Sequence, residues 1–170
     1  MDTPKQVSNS ERIAFAATVP LKMRPEVEAL FFFNSRQSLS QEGIHTAIVQ
    51  TGMPTIAEND DRVWIDVPSG KTQCLFACDE RIEPFRPVGV VLYSRPIADT
   101  IWIAHVAIDP NYAYGGENAT LEVAARLVDR VMAIARSIRG VTRIQLPYRE
   151  GCCYLRVKRP KSTQANQSGG

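Results

Sequence analysis

The stretch from Ile101 to Leu121, IWIAHVAIDPNYAYGGENATL, gathers most of the residues in this chain that could do chemistry. His105 sits in an apolar run, and the ordinary imidazole pKa suits a general base at neutral pH. A hydrogen-bonded core histidine would sit in the same kind of place. Asp109 ends the run, where a carboxylate either caps a loop or works beside an acceptor. Tyr112, Tyr114, Gly115, Gly116 and Asn118 follow, ahead of a long amphipathic segment. A strand end, a tight glycine turn and a helix start, in that order, can present a row of backbone N–H groups to a phosphate. The side chains of this turn work against that use. Glu117 would repel a pyrophosphate, no Lys or Arg lies between Asp109 and Leu121, and Asn118 as a helix N-cap would occupy an N–H itself.

Other candidates are sparser. His45 lies on a short early helix, away from the turn. Cys74 and Cys78 have loose zinc-ligand spacing, but adjacent Cys152 and Cys153 would point to opposite faces of a strand. Small buried residues in a reducing compartment are the simpler expectation, and no metal site is expected. The end of the chain, YREGCCYLRVKRPK, sets Arg149, Arg156, Lys158, Arg159 and Lys161 against Glu150 alone. Such a cluster either steers an acidic or nucleic-acid partner or keeps an edge strand from pairing with other edges.

The elements that must position these groups read clearly in places. A chain of 170 residues, 44% hydrophobic and 22% charged with net charge +2, is sized for one domain, expected over 1–160, with a disordered polar tail over 161–170. No apolar run approaches the ~20 residues that cross a bilayer, and the N-terminus lacks a signal pattern, so a cytoplasmic protein is expected. A strand is predicted over 12–19, a helix over 24–37 with Pro25 in its first turn, and a short helix over 42–52 ended by Gly52. Segments 62–67 and 72–78 flank PSGK and read as a hairpin. Strands over 87–94 and 100–108 follow; the second is apolar on nearly every residue, as a centrally buried strand should be. A helix over 117–140 carries its apolar stripe at helical spacing, with Gly140 at its end. Strands over 141–146 and 152–157 complete the chain, the first parallel to 100–108.

This order, and above all residues 101–146, resembles the GNAT superfamily of N-acetyltransferases. Ile108, Pro110 and Tyr112 fall in step with the family's strand-end pattern, followed by the glycine turn, the long helix and GVTRIQL. The resemblance implies an α+β fold: a mixed central sheet of six or seven strands flanked by helices. It also implies acetyl-CoA as cofactor. The pyrophosphate would sit on the turn at Tyr114, Gly115, Gly116 and Asn118, and the pantetheine arm would pair with the backbone of Val106 to Ile108. His105 would be the base, and Tyr148 would stand in for the family's general acid, although its position does not match. Two further departures are Ala113 where the family carries Gln or Arg, and a shortened end after the last parallel strand. Two functions follow: a divergent acyl-CoA-dependent N-acetyltransferase acting on an amine, or a catalytically inactive member serving as a binding or assembly module. Small, shortened relatives of this fold occur in bacteriophages, including virion-associated proteins. A shortened sheet edge also allows a homo-oligomer.

Overall fold

Proline at position 20 marks a change of sheet. The structure, a computed structural model, describes residues 12–69, 71–82, 85–146 and 153–159. β1 (Ile13–Ala16) joins a six-stranded sheet, whereas β2 (Val19–Pro20) joins a separate sheet of three. The strand expected over 12–19 is therefore two, with a bend at Ala17 between them. α1 (Arg24–Phe31) has Pro25 in its first turn and buries Val27, Leu30 and Phe31. It stops short of the expected 37. The Asn34 side chain accepts from the Arg36 N–H at 3.0 Å and starts a 3-10 stretch over Ser35–Ser40, a local bond that competes with continuing the helix. α2 (Gln41–Thr51) ends at Gly52, whose φ of 90° leaves the helix by a route open to glycine.

β3 (Thr55–Glu58) and β4 (Arg62–Asp66) are antiparallel neighbours in the small sheet, ordered β2-β4-β3. Asn59 Oδ1 closes their turn by accepting from the N–H groups of Asp61 and Arg62 at 3.3 and 2.9 Å. This corrects the expected hairpin between 62–67 and 72–78. β5 (Thr72–Asp79) lies in the large sheet instead, because Cys74 through Asp79 are all buried and such a strand needs cover on both faces.

β6 (Arg86–Ile97), β7 (Thr100–Ile108), β8 (Arg143–Gln145) and β9 (Tyr154–Arg156) complete the large sheet, in the order β1-β5-β6-β7-β8-β9. Only β7 and β8 are parallel; every other pairing is antiparallel. α3 (Val123–Ser137) makes the crossover between them. The mixed six-stranded sheet flanked by helices is thus the architecture the resemblance implied.

Each face of the sheet has its own core. Ile101, Ile103, Val91 and Leu75 pack with Leu127, Val131 and Ala135 of α3. Phe76, Val90, Leu92, Ala104 and Ala107 pack with Val27, Leu30 and Phe31 of α1 and Ala47 of α2. Each large side chain fully buried there contributes roughly 1.5–3 kcal/mol. Gly89 sets how closely α3 lies on the sheet: a Cβ there would meet Val123 Cγ1 at 2.7 Å and Leu127 Cδ1 at 3.1 Å.

α3 begins six residues later than expected. A 3-10 turn over Ala119–Leu121 comes first, anchored by Leu121 at 2% exposure. Glu122 then adopts φ 49°, ψ 42° as the helix N-cap. The helix also ends early, at Ser137, before Gly140.

Candidate functional site

The site is organised by an irregularity in β7. Against β6, His105 faces Leu92 while Ile103 faces Tyr93, so Ala104 is an extra residue, a β-bulge. Two successive side chains, Ala104 and His105, therefore turn to the α1–α2 face, and Val106 and Ile108 return to the α3 face. Among the described residues, pairing with β8 covers Thr100–Trp102 against Arg143–Gln145. From the bulge onward β7 runs beyond that pairing, toward the turn at 109–118.

His105 is 7% exposed. Its ring meets Phe31 edge-on, with centroids 5.2 Å apart, and it lines a cavity of about 100 Å³ between α1, α2 and β7. Burial pushes its pKa down to about 4. The imidazole is neutral at pH 7 and a weaker base than a solvated one, which bears on the general-base expectation. His45 is exposed on α2.

The turn after β7 does not present its amides as expected. The N–H of Gly116 donates to Ala113 O at 2.9 Å, that of Asn118 to Asn111 O at 2.7 Å, and that of Ala119 to Gly116 O at 3.2 Å. Those of Leu121 and Glu122 close the 3-10 turn. Glycine at 116 is required by packing: a Cβ would meet the carbonyl oxygens of Pro110 and Asn111 at 2.4 and 2.5 Å. The amides of Gly116 and Asn118, expected to face a phosphate, are thus engaged within the turn. Asn118 caps the 3-10 turn without a side-chain capping bond and is not the N-cap of the long helix. Gly115, at φ 84°, stands in open space, and Tyr114 is 95% exposed. The outward amides at a helix head belong to α3 at Val123–Ala125, where Ala124 and Ala125 are exposed.

Three arginines from distant segments surround this turn, and nothing in the local sequence announced them. Arg36 donates to Tyr114 O at 2.8 Å, Arg81 to Asn118 Oδ1 at 3.1 Å, and Arg86 to Asp109 Oδ2 at 3.0 Å. Asp109 also accepts from the Asn111 N–H at 2.9 Å, a capping role. Arg81 grips Asp79 through Nε at 2.9 and 3.0 Å, and Tyr112 donates its hydroxyl to the same carboxylate at 2.6 Å. Burial alone would raise the Asp79 pKa, but the hydrogen bonds from Arg81 and Tyr112 outweigh it and hold the carboxyl at about 2. Tyr112, 5% exposed, is thereby a structural residue whose own pKa is raised by burial and by the Asp79 contact. The backbone of Ile108 is engaged as well, since its carbonyl accepts from Asn34 Nδ2 at 2.7 Å.

Tyr148, Arg149, Cys152, Lys161 and the tail over 161–170 lie outside the described residues. Of the basic cluster, Arg159 donates to Ile138 O at 2.7 Å, and Arg136 reaches Lys158 O at 3.2 Å. The first bond brings a cation to the carbonyl end of α3, where it is favourable, and the second ties α3 to the chain after β9. Arg156 and Lys158 are exposed, and Arg143 lies over the Tyr154 ring at 4.8 Å. Cys74 and Cys78 are buried in the α1-side core, and burial pushes the Cys78 thiol up to about 11. Among the described residues no helix is long and apolar enough to cross a membrane.

No family model and no curated protein matches the chain. Among solved structures it is similar to a GNAT family N-acetyltransferase, YhbS, from Escherichia coli in complex with CoA. The two are 15% identical with a TM-score of 0.40, over 79% of this chain and 62% of that one. An acetyltransferase from Streptococcus agalactiae is 14% identical, with a TM-score of 0.42 over 80% of this chain and 73% of that one. This chain thus spans about three-fifths of the length of the E. coli protein.

Proposed function

We propose that the chain is a divergent acyl-CoA-dependent N-acyltransferase acting on an amine, with acetyl-CoA or a related thioester as donor. The observation that carries the reading is the bulge at Ala104, which turns Ala104 and His105 together to the α1–α2 face beside the cavity. The thioester arm would lie along β7 near this bulge. Its anionic end would face the head of α3, exposed at Ala124 and Ala125, with Arg36, Arg81 and Arg86 supplying the positive charge that the turn lacks. When bound, such a cofactor supplies an activated acyl group. The chain's own residues orient it, and the walls of the His105 cavity keep water from it.

The amides closed inside the turn favour a second reading, a binding or assembly module on the same fold with no transferase activity, such as a phage accessory or virion-associated protein. Calorimetric titration separates the two. On the enzyme reading acetyl-CoA binds with micromolar affinity, and Arg36→Glu weakens it at least ~10-fold without lowering the melting temperature. No heat at millimolar acetyl-CoA and CoA would leave the module.

A further inference from the structure

We propose that the cavity between α1, α2 and the bulged stretch of β7 binds a neutral, apolar group the size of one aromatic ring. Its place in an acyl transfer rests on the function proposed above, whereas its capacity to bind does not.

The walls make the case. Apolar side chains, among them Phe31, Ile44, Ala47, Ile48, Leu92 and Ala104, supply most of the surface, and among the described residues no Asp, Glu, Lys or Arg lines the cavity. Besides the neutral His105, its hydrogen-bonding side chains among the described residues are Gln37 and Thr51, and both are committed to backbone. Gln37 Nε2 donates to Phe31 O, and Thr51 Oγ1 donates to Ala47 O at 2.8 Å. Phe31 meets both Phe32 and His105 edge-on, at 5.0 and 5.2 Å, so an aromatic corner forms one end. The volume of about 100 Å³ is below the ~150 Å³ of a sealed apolar cavity that accepts benzene in another protein. This cavity is open on one side, so a single ring can enter through its mouth and carry a small substituent in with it. A cation brought there would lose hydration without gaining a carboxylate. The same low polarity keeps His105 neutral, through burial that brings its pKa to about 4.

Location ties the cavity to chemistry. Ala104 and His105 form its floor, and they are the residues at which β7 bulges. A ring seated here would lie one strand's thickness from a thioester running along β7. The apolar group could belong to the acceptor amine or to the acyl chain of a donor longer than acetyl, and the chemistry of recognition is the same.

The test uses the full chain and four probes followed by NMR and calorimetry: p-toluidine, benzylamine, acetyl-CoA and hexanoyl-CoA. We expect p-toluidine, neutral at pH 7, to bind at least ~10-fold more tightly than cationic benzylamine. Ile44→Trp should abolish p-toluidine binding by filling the cavity, and Ile44→Ala should retain it. Ile44, like Ile48, is half-buried on α2, and thermal melts verify folding. Ile48→Phe replaces Ile44→Trp if that variant melts early. Competition between hexanoyl-CoA and p-toluidine assigns the site to the acyl chain; simultaneous binding of acetyl-CoA and p-toluidine assigns it to the acceptor. Equal binding of benzylamine, or p-toluidine affinity unchanged in the filled variants, overturns the proposal. Failure of acetyl-CoA and hexanoyl-CoA alone, with p-toluidine still bound, would sink the acyltransferase reading and leave the cavity assignment standing.

Discussion

Replacing Asp79 with Asn removes one charge from the centre of the network that fixes the 109–118 turn. The carboxylate is fully buried and accepts from Arg81 Nε, the Arg81 N–H at 2.9 Å and the Tyr112 hydroxyl at 2.6 Å. Its pKa in the folded protein is held at about 2, below the ~3.9 expected of the unfolded chain. A depressed carboxylate pKa contributes stability that is present above pH ~4 and is lost as the pH falls through ~2. That difference is worth about 2 kcal/mol at neutral pH. Weakened charge-assisted hydrogen bonds add to the cost of the variant, for a total of roughly 2–4 kcal/mol. Urea unfolding of wild type and Asp79→Asn from pH 7 down to pH 2 measures the gap directly. It should be widest at neutral pH and shrink toward the acid end, while hydrogen exchange over 110–118 accelerates in the variant. A gap below about 0.5 kcal/mol at pH 7, or one that does not change with pH, would refute the reasoning.

Gly89→Ala should destabilise the protein by about 1–3 kcal/mol in urea unfolding, because the new methyl enters the contact between β6 and α3. His105→Phe tests the second buried titration. With a folded pKa near 4 and an unfolded value of ~6.5, wild type should lose up to about 3 kcal/mol as pH falls from ~6.5 to ~4. The variant should lack that slope, and an identical slope in both proteins would place the titration elsewhere.

Much of the framework was legible because it rests on short-range periodicity. The stripe Leu127, Val131 and Ala135 on α3, the unbroken apolar run of β7, Pro25 opening α1 and Gly52 closing α2 each encode their element locally. Strand partners were harder to read. β4 and β5 adjoin in sequence, yet β4 finds β3 through the Asn59 turn, and the short TIAE segment gave little sign of a strand. The start of α3 was misplaced because Glu122 in the left-handed region is costly and invisible to composition. At the candidate site, His105 and the glycine turn stood out, but Ala104 did not: a bulge is a property of pairing, and alanine carries no mark of it. Arg36, Arg81 and Arg86 were missed because only tertiary contact brings them to the turn. The signal available was indirect, namely that an acidic turn without local cations must find its counter-charges elsewhere.

Those three guanidinium groups have a thermodynamic consequence. They arrive from the loop after α1, the β5–β6 connection and the start of β6, so the local potential exists only while all three segments are docked. Any anion held there favours the assembled arrangement over every partly opened one, by mass action. Affinity for a simple polyanion, followed as denaturant rises, would therefore serve as a gauge of domain integrity as well as of recognition.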